Sequence, residues 1–268
     1  MAAVDYQKRD GIGIVTIDRP EARNALSPEV VVLLDRYFQQ ASDDDEVRVL
    51  VLTGAGDKSF CAGADLARLI PLMSGQREAS DEWDRAVLDD PRVASRANLQ
   101  GEPISKPVIA ALNGHAMGGG LELAMAADLR IAAEGIRLGL PEVKRALFPG
   151  GGGVVRLSRL IPATRALELS LTGDAMEVDE ALALGLVTRV VPREALLDAA
   201  FELAGRIARN GPLAVRAILQ VARATDGLPI AEALALSSEL GMPVFRTEDA
   251  TEGARAFIEK REPVYRGC

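Results

Sequence analysis

The chain has 268 residues, of which 48% are hydrophobic and 26% charged, and its 39 acidic and 31 basic side chains give a net charge of -8. This composition indicates a globular protein with a full core, and its acidic balance argues against a nucleic acid partner. There is no run of about 18 apolar residues, no basic region leading into an apolar one, and no disulfide framework from Cys61 and Cys268, so we expect no membrane span, no signal peptide and a reducing, cytoplasmic location.

Strand and helix signals alternate along the first half of the chain. Apolar runs predict strands at 12–17, 47–53, 107–112 and 129–132. Between the first two strands, Ser27 followed by Pro28 is typical of a helix N-cap with proline in the first turn, and this helix should run to about residue 40. Short apolar strands separated by helices predict an α/β fold whose sheet is buried on both faces.

Two later regions differ from this pattern. Residues 65–105 are rich in charge and interrupted by glycine and proline, so we expect short helices and a mobile loop there; the interruptions are Pro71, Gly75, Pro91, Gly101 and Pro103. After Pro192 the pattern is helical, with predicted helices at 193–209, 212–224, 229–240 and 247–260. We therefore predict a core at 1–192 and a helical region at 193–268.

Three glycine clusters lie at 54–56, 118–120 and 150–153. None fits a P-loop or a dinucleotide fingerprint. The first two follow strands and enter predicted helices, where backbone amides are unpaired. Two such loops side by side would aim two N–H groups at one oxygen and form an oxyanion hole. The alternative is that these glycines only permit tight turns.

Two glutamates accompany these loops. Glu122 follows Gly120 in the first turn of a predicted helix, and Glu142 follows Pro141 in a loop or helix start. A glutamate near a helix N-terminus is ordinarily a favourable partner of the helix dipole. The apolar neighbours of Glu122 favour burial, which raises the pKa of a carboxyl and suits acid–base catalysis.

Other chemistries find little support. His115 is the only histidine, so a typical zinc site is excluded. His115 could pair with Cys61 as a thiol–imidazole couple, but an ordinary loop position is the preferred interpretation. We expect Cys61 to fill space beside the glycine loop and Asp65 to brace the helix that follows. No Gly-x-Ser-x-Gly elbow is present.

Five segments carry a resemblance that covers nearly the whole chain: residues 19–26 (RPEARNAL), 54–66 (GAGDKSFCAGADL), 106–124 (KPVIAALNGHAMGGGLELA), 141–153 (PEVKRALFPGGGG) and 252–261 (EGARAFIEKR). In this order and spacing they resemble the crotonase (enoyl-CoA hydratase/isomerase) superfamily. The resemblance implies a crotonase-like spiral of ββα units with a C-terminal helical trimerisation region, assembling as a homotrimer or homohexamer.

The resemblance also implies a set of site residues. The amides of Ala64 and Gly119 would hold a thioester oxygen, and Glu122 and Glu142 would be catalytic. The acyl-CoA substrate would contact Ala22, Arg23, Lys58, Ala62, Asp65, Leu66, Met117, Pro141 and Gly150. The Gly150 amide would also help to seat a water. No cofactor or metal is expected, since coenzyme A is part of the substrate.

The glutamate pair favours a 2-enoyl-CoA hydratase, because one carboxyl can activate water while the other protonates Cα. We predict that Glu122 activates the water and Glu142 donates the proton. His115 would then line the thioester channel. Residues 65–105 would shape the acyl pocket, and Trp83 would pack in that segment. The alternatives are a Δ3,Δ2-enoyl-CoA isomerase or another reaction of the superfamily, and a non-catalytic acyl-CoA binding protein.

Overall fold

The computed structural model describes residues 2–100 and 104–268. The strands are β1 (Val4–Arg9), β2 (Ile12–Ile17), β3 (Val49–Gly54), β4 (Ser59–Cys61), β5 (Val108–Leu112), β6 (His115–Met117), β7 (Leu129–Ala133), β8 (Arg137–Gly139), β9 (Ala175–Glu177) and β10 (Arg189–Val191). The α-helices are α1 (Pro28–Asp43), α2 (Leu69–Met73), α3 (Glu82–Asp89), α4 (Arg92–Ala97), α5 (Gly119–Ala126), α6 (Gly153–Leu160), α7 (Ala163–Thr172), α8 (Val178–Ala183), α9 (Leu196–Ala208), α10 (Pro212–Ala224), α11 (Ile230–Gly241) and α12 (Glu248–Glu259). Short 3-10 helices lie at Pro20–Ala22, Pro141–Arg145, Arg193–Ala195 and Met242–Arg246.

The strands form two sheets. The larger has six strands in the order β1-β2-β3-β5-β7-β10, and the smaller has four in the order β4-β6-β8-β9. The β1–β2 and β8–β9 pairs are antiparallel, and the other strand pairs are parallel. The antiparallel pairs therefore lie at one edge of each sheet.

Each of the three central turns of the chain adds one strand to each sheet and then continues into helix. β3 is followed by β4 and α2–α4, β5 by β6 and α5, and β7 by β8 and α6–α7. Successive turns stack because β3, β5 and β7 are neighbours in one sheet while β4, β6 and β8 are neighbours in the other. The predicted α/β spiral of ββα units is confirmed, and the stacking brings the loops after β4 and β6 side by side.

The larger sheet is the centre of the core. All six residues of β3 are buried, as expected of a parallel strand covered on both faces. Helix α9 packs against β2, β3, β5 and β7 and buries Leu196, Ala200 and Ala204. The small alanine side chains let the helix approach the sheet closely.

The predicted elements of the first half are confirmed with small shifts at their ends. Strands at 12–17, 47–53, 107–112 and 129–132 correspond to β2, β3, β5 and β7. Ser27 is the N-cap of α1, where its side chain accepts the Val30 N–H at 3.3 Å. The 65–105 segment contains the short helices α2–α4, while the predicted interruptions at Gly101 and Pro103 lie outside the described residues.

The predicted C-terminal helices correspond to α9–α12. α10 and α11 bury no residue, and this end of the chain exposes several large apolar side chains: Ile218, Ile230, Leu234, Met242, Phe245, Phe257, Ile258 and Val264. α9 packs on the sheet, whereas α10 and α11 have no fully buried residue. The division at 192/193 stays a prediction.

Helix length and apolarity bear on membrane insertion. Within residues 2–100 and 104–268, no helix is both long enough and apolar enough to cross a bilayer.

Candidate active site

A cavity of about 600 Å³ lies between the glycine loops, helices α2 and α4, and the 3-10 helix Pro141–Arg145. It is lined by most of the residues predicted from the sequence: Arg23, Ala62, Ala64, Leu66, Met117, Gly119, Glu122, Pro141, Glu142 and Gly150. Residues distant in the chain thus meet at one site.

The loops after β4 and β6 lie against each other, since a Cβ built on Gly63 would be only 3.0 Å from the Gly119 nitrogen. The bridge between Leu26 and Ala64 uses the Gly63 carbonyl and the Asp65 N–H, which leaves the Ala64 N–H outside the bridge. Gly119 is the first residue of α5, where amides have no acceptor within the helix. Two N–H donors are therefore available at one wall of the cavity.

Gly118 connects the second loop to a carboxyl group. Its backbone has φ 55° and ψ −130°, a conformation that residues other than glycine rarely adopt. A Cβ here would also lie 2.9 Å from Oε1 of Glu142. Glycine at this position lets the Glu142 carboxyl rest directly on the loop that carries the Gly119 amide.

Glu122 is held by the third glycine cluster. Its side chain lies on α5 with the residue only 4% exposed, and its Oε1 accepts the Gly153 N–H at 2.8 Å. Burial raises the pKa of Glu122 and the charge of Glu142 raises it further, while amide hydrogen bonds from Gly153 and Gly151 oppose the rise. The carboxyl is therefore fixed in position yet remains basic enough to accept a proton.

Glu142 is less fully hydrogen-bonded. Within the described residues, its Oε2 is buried without a hydrogen-bond partner. Burial raises the pKa of Glu142, and its own backbone amide and the charge of Arg145 oppose the rise. An unsatisfied buried oxygen is unfavourable and uncommon in folded proteins, so this atom is a candidate for proton transfer rather than for structural support.

Together these groups form a small reaction site. Two amides can stabilise negative charge on an oxygen, and two carboxyls of raised pKa can take up and deliver protons. The lining is otherwise mainly apolar, which would suit an apolar ligand group. In the described part of the chain, no group of three or more histidine, cysteine, aspartate and glutamate residues is arranged to hold a metal.

Three residues of the predicted contact set do not line the cavity. Ala22 is half-buried and Lys58 is exposed. Asp65 braces the start of the next helical stretch, because its carboxylate accepts the Arg68 N–H at 3.1 Å and pairs with Arg19 at 3.2 Å. The bracing interpretation of Asp65 is confirmed, while its contact with substrate, like those of Ala22 and Lys58, stays a prediction.

The predictions for His115 are wrong. It begins β6, is exposed, and its Nδ1 accepts the Arg137 N–H at 2.9 Å. It is not among the described residues that line the cavity. Cys61 is buried and accepts a weak bond from the Gly63 N–H at 3.5 Å, and burial raises the pKa of its thiol to about 12. A thiol–imidazole couple is excluded because parallel pairing of β4 and β6 leaves the imidazole at the surface and the thiol in the core.

One wall of the cavity comes from the 65–105 segment, which was predicted to shape the pocket, although most of its individual lining residues were not singled out from the sequence. Helices α2 and α4 and the segments that flank α4 contribute Leu69, Ile70, Met73, Pro91, Ala94, Ser95, Asn98 and Gln100. Trp83 lies on α3 behind this wall, partly buried, with the Arg36 guanidinium 5.9 Å above its ring. The weak hydrophobic pattern of this segment gave no signal for these individual residues.

Two arginine–aspartate clusters support the wall. Asp84 has a fully buried side chain, and it accepts two bonds from Arg77, at 2.6 and 2.8 Å, as well as bonds from Ser80. The Arg77 guanidinium holds the pKa of Asp84 well below its usual range. Asp35 on α1 is bound in the same two-pronged way by Arg96 of α4, at 2.6 and 2.7 Å. The Arg77–Asp84 pair holds α3 to the loop before it, and the Arg96–Asp35 pair ties α4 to α1.

Comparisons with known proteins agree with this geometry. The sequence profile of a family described as enoyl-CoA hydratase/isomerase matches residues 7–267. The chain is 41% identical over 257 residues to enoyl-CoA hydratase EchA19 of Mycobacterium tuberculosis, covering 96% of this chain and 94% of that protein. It is 39% identical to (E)-benzylidenesuccinyl-CoA hydratase of Thauera aromatica, covering 99% of both. The crystal structure of enoyl-CoA hydratase EchA1 from Mycobacterium marinum matches with a TM-score of 0.88 and 39% identity over the full length of both chains.

Proposed function

The chain belongs to the enoyl-CoA hydratase/isomerase family of the crotonase superfamily, and from this premise we propose that it hydrates a trans-2-enoyl-CoA thioester. The observation that carries the proposal is the meeting of two carboxyls of raised pKa, Glu122 and Glu142, in the cavity that also presents the amides of Ala64 and Gly119. Water addition to a conjugated thioester needs both kinds of group.

The reaction follows from these positions. The amides of Ala64 and Gly119 donate hydrogen bonds to the thioester oxygen, which gains negative charge as the enolate forms. Glu122 takes a proton from water while the water oxygen bonds to Cβ. Glu142 then gives a proton to Cα. The C=C electron pair of the enolate forms the new Cα–H bond, and the electrons on oxygen re-form the carbonyl. The two carboxyls then exchange one proton to restore the starting state. Loss of one oxyanion donor typically costs about 2.7–4 kcal/mol of transition-state stabilisation.

The remaining contacts place the substrate. Arg23 and Lys58 are exposed cations, and Arg23 lines the cavity. Both would bind the coenzyme A phosphates. Gly150 would help to seat the water with its amide. The rest of the binding surface for the thioester and its pantetheine arm is proposed to be Ala22, Ala62, Asp65, Leu66, Met117 and Pro141. Coenzyme A enters as part of the substrate, and the mechanism needs no further cofactor or metal.

Incubation with crotonyl-CoA tests this function. Loss of the conjugated enone absorbance, with appearance of 3-hydroxybutyryl-CoA by mass spectrometry, is the expected result. A protein that leaves crotonyl-CoA unchanged but converts a 3-enoyl-CoA to the conjugated isomer would be an isomerase. Tight binding of crotonyl-CoA without turnover of either substrate would identify a binding protein.

Assembly and location complete the proposal. The exposed apolar side chains of α10–α12, including Phe245, Phe257 and Ile258, are proposed to be covered in a homotrimer or homohexamer. Light scattering at micromolar concentration should give three or six times the 28.4 kDa chain mass; a stable monomer would contradict this. Cys61 and Cys268 are both free thiols, which suits the reducing environment of the cytoplasm.

A further inference from the structure

Arg156 lies on the far side of the loop that holds Glu122. It belongs to the first turn of α6, and its guanidinium is partly buried. Its Nη1 donates to the Gly151 carbonyl at 2.7 Å, and its Nη2 makes a longer contact of 3.4 Å with the Leu99 carbonyl. Arg156 thus connects the third glycine cluster to the segment that follows α4.

The opposite face of the same loop contacts the Glu122 carboxyl. The Gly153 N–H donates to Oε1 at 2.8 Å, and the Gly151 backbone is so close that a Cβ there would lie 2.7 Å from Oε2. A short stretch of backbone therefore separates a cation from the carboxylate that we propose as the base. Gly151 takes part on both faces, with its carbonyl toward the arginine and its amide toward Glu122.

Gly152 makes this arrangement possible. Its φ is 89°, and a Cβ at this position would lie 2.7 Å from Nη1 of Arg156. The left-handed backbone conformation favours glycine, and the absence of a side chain gives the guanidinium room to reach the Gly151 carbonyl. The loop is therefore shaped to accept the arginine as well as the glutamate.

Arg156 is the cation whose charge acts on the Glu122 carboxyl. Among residues 2–100 and 104–268, no aspartate or glutamate forms an ion pair with Arg156, and the carboxyl whose charge acts on it is Glu122. Glu122 faces a second carboxyl, Glu142, whose own neighbouring cation is Arg145. The Cys61 thiol below α5 is protonated near neutral pH.

We propose that Arg156 is a positioning residue for the hydration reaction, which fixes the 150–153 loop and keeps Glu122 ionised through its charge. Burial makes ionisation of Glu122 unfavourable, and Glu142 adds repulsion whenever it is itself ionised. A cation held behind the loop opposes both effects without touching the substrate, so the base is available at neutral pH. This inference rests on the proposed role of Glu122 in hydration.

The test compares Arg156→Gln with Arg156→Lys and with Arg159→Gln as a matched control. Arg159 lies on the same helix, is exposed, and pairs loosely with Asp226 at 3.4 Å. Removing the charge should raise the pKa of Glu122, so the acidic limb of kcat against pH should move to higher pH. At a pH on this limb kcat should be lower than in the wild type, with KM for crotonyl-CoA nearly unchanged. Arg156→Lys keeps the positive charge, so its acidic limb should stay at the wild-type pH.

A second readout does not depend on turnover. Infrared difference spectra against pH, with ¹³C-labelled glutamate and the Glu122→Gln protein to assign the band, report the protonation of Glu122 directly. An upward shift in Arg156→Gln, absent in Arg156→Lys and Arg159→Gln, would support the inference. An unchanged Glu122 titration in a folded Arg156→Gln protein would overturn it. Failure of the proposed function would appear separately, as wild-type protein that does not hydrate 2-enoyl-CoA substrates.

Discussion

Buried carboxyls occur in two regions of this molecule under opposite conditions. Among the residues that support the pocket wall, Asp84 and Asp35 each receive two hydrogen bonds from one arginine. In the active site, Glu122 is held by backbone amides, and Glu142 keeps one buried oxygen without a partner in the described structure. The pKa of Asp84 is accordingly lowered, while those of Glu122 and Glu142 are raised.

The type of hydrogen-bond partner distinguishes a carboxyl that supports the structure from one that is suited to proton transfer. A carboxylate that is neutralised by an adjacent guanidinium stays ionised over the physiological pH range and serves as a fixed attachment point. A carboxyl that is buried without such a partner changes protonation state more easily near neutral pH. Partner type, more than burial alone, therefore distinguishes the proposed catalytic pair from the carboxylates that support the wall.

The sharpest test of the comparison is removal of the carboxyls that we propose to be catalytic. Glu142→Gln should lower kcat about 10²–10⁴-fold because glutamine cannot deliver a proton. KM should change much less, since the coenzyme A portion binds elsewhere. Glu122→Gln should show a similar loss, and the double variant should lose less than the product of the two. Steady-state hydration of crotonyl-CoA measures all three.

Glu134→Gln is the matched control for these variants, because Glu134 is an exposed glutamate just after β7. It should keep wild-type kcat. Hydration by Glu142→Gln at the wild-type rate would remove Glu142 from the mechanism and favour a single-base reaction.

The second test removes a structural carboxylate. Asp84→Asn leaves the Arg77 charge without its main partner, so the free energy of unfolding should fall by about 2–4 kcal/mol. Asp89→Asn, at an exposed position of the same helix, should change it little. Chemical denaturation at pH 7 measures both variants.

The pH dependence of this loss has a definite sign. Because the pKa of Asp84 is lowered by folding, its contribution is complete above the unfolded pKa of about 3.9 and declines as pH falls toward the folded value. The difference between wild type and Asp84→Asn should therefore persist at pH 5 and narrow below about pH 4. A difference that grows on acidification would contradict the assignment.

The smallest expected effect is a gain in stability on replacing Glu142 with glutamine. Burial raises the pKa of Glu142, so the folded protein holds this proton more tightly than the unfolded chain. Ionisation then destabilises the fold above the raised pKa, and the penalty disappears below the unfolded value of about 4.3. Glu142→Gln should raise Tm at pH 8 by roughly 2–4 °C for each kcal/mol regained, with no gain at pH 4. A lower Tm at pH 8 would show that Glu142 is structural like Asp84.

Much of the framework was predictable from the sequence, because β2, β3, β5 and β7 are apolar runs of five or six residues. The second sheet was missed since its strands β4, β6, β8 and β9 have three residues each, too few to show a period. His115 illustrates the consequence: its position in a strand of this sheet, rather than in a loop at the cavity, could not be seen without the sheet.

The site was predicted better than its surroundings. The glycine loops and the two glutamates occur in motifs, and they meet in the cavity as expected. Gly153, which binds Glu122, belonged to a noticed cluster but carried no distinguishing signal. Arg156 was missed because a single arginine in a helix is ordinarily solvated; its spacing of four residues from Gly152 was the available hint. Contacts of this kind depend on tertiary packing, which local pattern does not encode.

The connection from β4 to β5 carries α2–α4 and with them most of the acyl-pocket wall. The helical part of this connection begins beyond Ala64, whereas Gly119, Glu122 and Glu142 are supplied by later turns of the spiral. The wall can consequently vary while the proposed reacting groups stay in place, provided that α4 keeps its attachment to Asp35 of α1. A fold arranged in this way can diversify the acyl groups that it accepts during evolution without redesigning its catalyst.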